Sequence, residues 1–306
     1  MSALKTSNRS SLAQGVILGL SAYFLWGLVP VYWPKLQPAT APEILAHRIL
    51  WSLVFVALLI LVTGKRQATV AVFRTPRTVG LLCLAAVLIA INWGVFIWAS
   101  ISGQILDSSL GYYITPLISV GLGVAFFREK LRGLQWLALG IATVAVIYLA
   151  TAHGKVPYIA LILSLSFGIY GYVKKLANID AIESLAVETA VLAPVAIGYL
   201  CWLSIQDKNS FLECGIAHAL WLASSGVVTA IPLLLFGAAA VRIPLSTLGI
   251  LQYVGPTMQF IVGYWYFHES MSGQRFTGFL LTWVALIVLT IDSLRHTVQQ
   301  SSKVVS

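Results

Sequence analysis

An all-α polytopic membrane protein is the fold this sequence predicts: ten transmembrane helices, arranged as two inverted five-helix repeats. Three observations carry that expectation: a near absence of charge, ten long apolar runs, and an internal match at one fixed offset. The 306 residues are 59% hydrophobic and 9% charged, with a mean hydropathy of +0.89. A soluble domain carries roughly 25% charged residues. Too few charges are present to coat a water-facing surface, so most of the surface is expected to face lipid.

The ten apolar segments run at 15–34, 44–63, 79–100, 107–127, 133–151, 156–173, 185–203, 216–240, 245–267 and 274–292. About 20 apolar residues cross the hydrocarbon core. Inside lipid each backbone N–H and C=O must be bonded within its own segment, which makes these helices. A β-barrel is excluded because the runs are continuously apolar and do not alternate. The first 14 residues are polar, and the run from Gly15 is long enough to span, so a cleaved signal peptide is not expected.

Net charge is +9. In a soluble protein that balance would point to nucleic acid. Here the charges sit in short gaps between apolar runs, so they read as orientation signals and no nucleic-acid partner is expected. With the N-terminus placed inside, 14 of the 19 Lys and Arg residues fall in inside segments and 5 outside. Both termini are therefore expected in the cytoplasm of a bacterial cell, with the chain in the inner membrane.

The internal match appears on shifting the chain by 140 residues. Ala41, Glu43, Leu45 and Ala46 meet Ala181, Glu183, Leu185 and Ala186. Tyr113, Pro116, Phe127, Glu129 and Gly133 meet Tyr253, Pro256, Phe267, Glu269 and Gly273. Leu and Ala pairs are cheap in such a composition, whereas the Tyr-x-x-Pro and Phe-x-Glu-x-x-x-Gly matches are not. The repeat holds an odd number of spans, so equivalent helices must cross the membrane in opposite directions. That architecture places a solute site at the repeat interface near mid-membrane. The expected organisation is a cytoplasmic segment 1–14, repeats at 15–151 and 156–292, and a polar cytoplasmic tail 293–306.

Several of these residues resemble one family. Ala22-Tyr23-Phe24-Leu25-Trp26-Gly27, Glu43 with His47-Arg48, Asn92-Trp93, Ser109-Leu110-Gly111-Tyr112 with Pro116-Leu117, and Thr247-Leu248-Gly249 with Gln252-Tyr253 and Pro256-Thr257 resemble the RarD branch of the EamA transporters. These belong to the drug/metabolite transporter superfamily. The resemblance covers essentially the whole chain and implies a ten-helix carrier of small metabolites or drugs that opens alternately to each side. RarD proteins are commonly labelled chloramphenicol-related permeases. The resemblance also implies a central cavity lined by the spans at 15–34, 79–100, 107–127, 156–173, 216–240 and 245–267. Amino-acid-like or amphipathic aromatic solutes fit the polar and aromatic residues in those spans, and the chain is expected to act as a monomer or homodimer.

Within the spans, Pro116 and Pro256 form a repeat-related pair. Each removes a backbone hydrogen bond and frees the carbonyl four residues earlier, those of Tyr112 and Gln252. They are the candidate hinges. Substrate-binding candidates are the amides Asn92 and Gln252, the phenols Tyr23, Tyr112, Tyr113 and Tyr253, and the indoles Trp26 and Trp93. The bland alternative for the amides is interhelical glue. Trp33, Trp98, Trp202, Trp221 and Trp265 read as an interfacial belt.

Ionisable residues are scarce. Arg48, Glu43, His47 and Asp107 cluster at the outer side, where an Arg48–Asp107 or Arg48–Glu43 pair could shape a gate. Glu188, the repeat counterpart of Arg48, lies towards the inner side. No Asp, Glu, Lys or Arg is expected near mid-membrane. That favours facilitated movement, or coupling through end carboxylates such as Glu43, Asp107 and Glu188. Gly121, Gly123, Gly168 and Gly171 read as packing positions. Cys201 and Cys214 both fall near the outer face, with free thiols the expected state. No metal-ligand spacing, cofactor motif, phosphate-binding loop or hydrolase motif is present. A membrane enzyme is thereby disfavoured, and a non-transporting sensor or assembly factor is the alternative to a carrier.

Overall fold

The computed structural model describes residues 2–101, 105–153, 158–266, and 273–292 apart from 275, 279, 282, 286, 289 and 290. Among the described residues there is no strand, and each of the ten apolar segments holds helix. The first half contains α1 (Ser2–Leu28), two 3-10 turns (Val29–Val31 and Trp33–Leu36), α2 (Ala41–Thr63), α3 (Arg66–Phe73), α4 (Pro76–Ile101), α5 (Ile105–Phe127) and α6 (Gly133–His153). The second contains α7 (Tyr158–Ala177), α8 (Ala181–Ile205), α9 (Ser210–Glu213), α10 (Ile216–Ala240), α11 (Leu245–Leu251), α12 (Val254–Ile261) and a π-helical turn (Val262–Tyr266), followed by helical residues between 273 and 292. Six helices are long and apolar enough to cross a bilayer: the apolar part of α1, then α2, α4, α7, α8 and α10. Shorter apolar helices lie at Gly111–Phe127 and Gly133–Tyr148.

The 140-residue offset is built into the element boundaries. α2 and α8 begin at Ala41 and Ala181, α4 and α10 at Pro76 and Ile216, α5 and α11 at Ile105 and Leu245. Packing follows the same exchange. α7 packs on α4 and α5, while α1 packs on α10 and on α11–α12; α2 and α8 meet at the centre, each also touching the other half's α10 or α4. Large apolar side chains point outward, with Val62 85% and Ile205 78% exposed, which suits a surface that faces hydrocarbon and not water.

The paired prolines behave differently. α5 runs continuously through Pro116. In the second half the helix breaks: Gln252 and Tyr253 separate α11 from α12, with three-residue bonds from Gln252 N–H to Gly249 O and from Gly255 N–H to Gln252 O. The neighbouring residue explains the difference. Thr115 donates its hydroxyl to the Gly111 carbonyl at 2.7 Å, bracing the turn before Pro116. Its repeat equivalent is Gly255, which has no side chain to do so, and proline disfavours helical geometry in the residue before it. The single helix expected over 245–267 is therefore discontinuous.

At the end of the molecule holding the α2–α3 junction, Lys65 bridges the halves. Its ammonium lies 3.0 Å from Asp180 and 3.1 Å from Glu183. Burial pulls its pKa down, but the two carboxylates outweigh that and raise it above the ordinary lysine value. A raised cationic pKa means the bridge is fully present below the unfolded value of about 10.4 and is lost only as pH rises through the higher folded value. Lys65→Met should cost no more than about 1 kcal/mol, because the pair is partly exposed. The cost should stay constant from pH 7 to 9 in thermal unfolding; a cost that vanished over that window would contradict this reading.

Candidate solute-binding site

A cavity of about 80 Å³ lies where the two halves meet. One water needs about 10–15 Å³ of such volume, so the space holds roughly half a dozen waters or a small solute. α1 contributes Tyr23 and Trp26, and the 3-10 turns after it contribute Tyr32 and Trp33. Arg48 comes from α2, Asn92, Trp93 and Phe96 from α4, Tyr112 from α5, Phe167 from α7, and Ser225 and Thr229 from α10. Gln252, Gly255 and Pro256 come from the break between α11 and α12. The expected lining spans all contribute, and α2 is added through Arg48.

One wall is a rigid aromatic cluster. Trp26 sits 5.5 Å from Phe167 and 5.8 Å from Phe236, and Tyr23 lies 5.7 Å from Trp26. Aromatic pairs at such separations hold each other in place beyond their area burial. Asn92 is also a tie: its amide N–H groups donate to the Leu163 carbonyl at 2.9 Å and to Ser166 Oγ at 3.0 Å, fastening α4 to α7. It is both cavity wall and interhelical glue.

Arg48 reaches across to α10. The Arg48–Glu43 pair is not formed. Glu43 instead accepts from the Ser210 N–H at 2.7 Å and the Ser210 hydroxyl at 2.9 Å, fastening α9 over α2. Arg48 donates Nε–H to Thr229 Oγ1 at 2.8 Å, and its guanidinium lies 4.3 Å from the Trp93 ring centre and 5.0 Å from that of Trp33. Its Nη1 has no hydrogen-bond partner, and the residue is only 6% exposed. The side chain of Asp107, the other expected partner, lies outside the described residues. His47 stacks on Phe211 with ring centres 4.6 Å apart, away from the cavity lining.

Of the eight substrate-binding candidates, Tyr23, Trp26, Asn92, Trp93, Tyr112 and Gln252 line the cavity. Tyr113 and Tyr253 do not. They are buried in a separate cluster with Ala138, Ala142 and Ala285. Adjacent helical residues point about 100° apart, so Tyr113, next to Tyr112 in α5, faces away from the cavity. Pro256 borders the cavity, whereas Pro116 borders a second, much smaller void beside α6.

Trp33 was expected in the interfacial belt, but it lines the cavity and covers Arg48. Trp98, Trp202, Trp221 and Trp265 are exposed, as belt residues would be. Tyr32, Trp33 and Thr229 were missed as site residues. The only sequence signal for the first two is their place in a Pro-bracketed stretch, Pro30 to Pro34.

The expectation of few buried charges also needs correction. The apolar segment at 156–173 stopped one residue short of Lys174, but α7 continues to Ala177, and Lys174 is 4% exposed. Its ammonium lies 2.5 Å from Glu188 Oε1, which also accepts from Ser184 Oγ at 2.8 Å, while Glu188 Oε2 accepts from Tyr170 at 3.1 Å. Glu188 is thus a paired carboxylate inside the α7–α8 interface. At the same end Glu129 accepts from the N–H groups of Leu245 and Ser246 at 2.7 and 2.8 Å, and Lys175 donates to the Ile243 carbonyl at 2.6 Å. Arg132 is bonded to Asp292 there as well. These bonds tie the end opposite the Trp33 turns. Among the described residues no cluster of His, Cys, Asp or Glu is placed to hold a metal, and the three cysteines are free.

Residues 13–151 match the EamA-like transporter family. Protein RarD of Streptomyces exfoliatus is 49% identical over 281 residues, covering 92% of this chain and 89% of that protein. An uncharacterised transporter of Vibrio cholerae is 39% identical over 290 residues, covering 95% of this chain and 96% of its own. A solved crystal structure has the same fold with a TM-score of 0.69 at 16% identity, covering 90% of this chain and 97% of that one. With relatives this similar along nearly its whole length, the chain belongs to the RarD branch of the EamA-like transporter family, a family of multi-pass membrane proteins.

Proposed function

We propose that this protein is a secondary carrier of small solutes in the bacterial inner membrane, working by alternating access with both termini in the cytoplasm. The observation that carries the reading is the cavity at the junction of the two halves, walled by aromatics and bordered by a broken helix. Discontinuous helices at a repeat interface are a recurrent way to build a transport site. The basic-residue bias supports a reading with the Trp33 turns outside and the Glu129 and Lys175 contacts inside. On that orientation the bonds from Glu129 to α11 and from Lys175 to Ile243 lie on the inner side, which supports an inner seal. Kinked α5 and the broken α11–α12 unit move against the rest. Motion centres on Pro116 and on the break at Pro256, where missing backbone bonds lower the cost of bending.

The test is flux in proteoliposomes, with amino acids, aromatic metabolites and chloramphenicol, with and without a pH gradient. Saturable flux is expected for at least one solute class. Gln252→Ala removes a wall amide and should lower it about tenfold, the effect of losing one good hydrogen bond. Asn92→Ala should lower it further, because it also loosens α4 from α7. Both variants should insert and fold. Normal flux in both would sink the site assignment. No flux of any solute would turn the reading towards a sensor.

A further inference from the structure

Arg48 has what it needs to be held in place, but among the described residues nothing balances its charge. Its Nε–H is committed to Thr229, its guanidinium lies over the Trp93 and Trp33 rings, and its buried Nη1 is left without a partner in a residue that lines the cavity. Glu43, the nearest carboxylate in sequence, is spent on Ser210. Among the described residues Arg48 makes no ion pair, whereas Lys65, Arg132, Lys174 and Lys175 each have a carboxylate within 4 Å. A buried, unpaired charge is costly to keep, and a structural arginine would be expected to find its partner within the fold. With two rings over the guanidinium, the hydrogen-bonding capacity still unused lies at Nη1, and the guanidinium edge is the part that matches a carboxylate with two parallel hydrogen bonds.

We infer that Arg48 is the anion anchor of the solute site and that the solute is a small organic monocarboxylate carrying a hydrogen-bond donor. This rests on the carrier reading and deepens it. A single negative charge follows from the lining, in which Arg48 is the one charged side chain among the described residues. A dianion such as phosphate would enter with an excess charge left unpaired. The donor follows from Gln252, another lining residue, whose buried Oε1 has no partner and can only accept. Small size follows from a space of about 80 Å³, and an apolar body suits the Trp26 and Phe167 wall. The gate role first expected of Arg48 becomes recognition, with Trp33 and Trp93 fixing the fork.

The test is binding to the purified full-length protein in nanodiscs, read by tryptophan fluorescence and by thermal shift. The probes are glycine, L-alanine, L-leucine and L-phenylalanine, each against its own carboxamide, with inorganic phosphate as a separate arm. At least one acid should bind ten or more times tighter than its amide. Arg48→Gln should erase that preference, and Arg48→Lys should keep part of it. Equal binding of every acid and its amide to the unaltered protein overturns the proposal without any variant having to fold. So does phosphate binding as tightly as the best acid, or no binding by any acid at millimolar concentration. Flux of neutral or cationic solutes with no acid preference would remove the anchor and leave the carrier. Acid-selective binding without flux in liposomes would keep the anchor and remove the carrier.

Discussion

Lys174→Ala destabilises the protein by about 3–5 kcal/mol, the scale expected when one half of a buried ion pair is removed. The ammonium and the Glu188 carboxylate are 2.5 Å apart with side chains 4% and 2% exposed, so neither can turn to water when its partner goes. Ser184 and Tyr170 both donate to the same carboxylate and cannot neutralise it. Glu188→Ala is expected to do similar damage, stranding the cation. Replacing both together, Lys174→Met with Glu188→Leu, removes the desolvated charges at once and should recover most of the loss, since an apolar pair of similar volume often serves as well. Thermal unfolding of the three variants in one detergent checks this. Single variants as stable as the double one would mean that the pair carries no coupling.

Gly226→Ala is the second large effect. A Cβ built on Gly226 lies 2.3 Å from the Trp51 carbonyl carbon and 2.6 Å from the Ser52 nitrogen, so it meets backbone and not a flexible side chain. α2 and α10 would have to separate. The Ser52 hydroxyl bond to the Gly226 carbonyl, at 3.0 Å, would be strained first. The Arg48–Thr229 bond lies about one turn along on both helices and would move with it. Overpacking of this kind costs about 1–3 kcal/mol. Solute flux should fall tenfold or more, because the displaced groups are in the cavity wall. Gly121→Ala is the control, since nothing lies within 4 Å of its Cβ position, and it should be silent in both assays. Equal behaviour of the two variants would contradict the close approach of α2 and α10.

What the sequence could reveal followed from short-range rules. Continuous apolar runs gave the helices, and the match of Tyr113, Pro116 and Gly133 to Tyr253, Pro256 and Gly273 anticipated boundaries that recur at the same offset. Asn92, Tyr112 and Gln252 were legible because polar groups inside apolar spans are costly unless they meet a partner or a cavity. Tyr113 and Tyr253 went astray because composition does not say which face of a helix turns inward. Lys174 was hidden by its neighbour: Lys174-Lys175 reads as a loop pair, and only tertiary packing shows that Glu188 waits for the first of them. Trp33 was hidden by position, since an indole near a span end is usually interfacial. Its role depends on Arg48, which reaches it from another helix. The break at Gln252–Tyr253 depends on Gly255 standing where the first repeat has Thr115, a difference visible in the sequence but without consequence until the bracing hydroxyl of Thr115 is seen.

The most direct measurement of the central claim is two-sided accessibility of the cavity. Val228 lines it and can be made the sole cysteine, as Val228→Cys with Cys83, Cys201 and Cys214 replaced by alanine. A membrane-impermeant thiol reagent is then applied to right-side-out and to inverted vesicles. Alternating access predicts labelling from both sides, slowed on both by a transported solute. Labelling confined to one side, with or without solute, would contradict it.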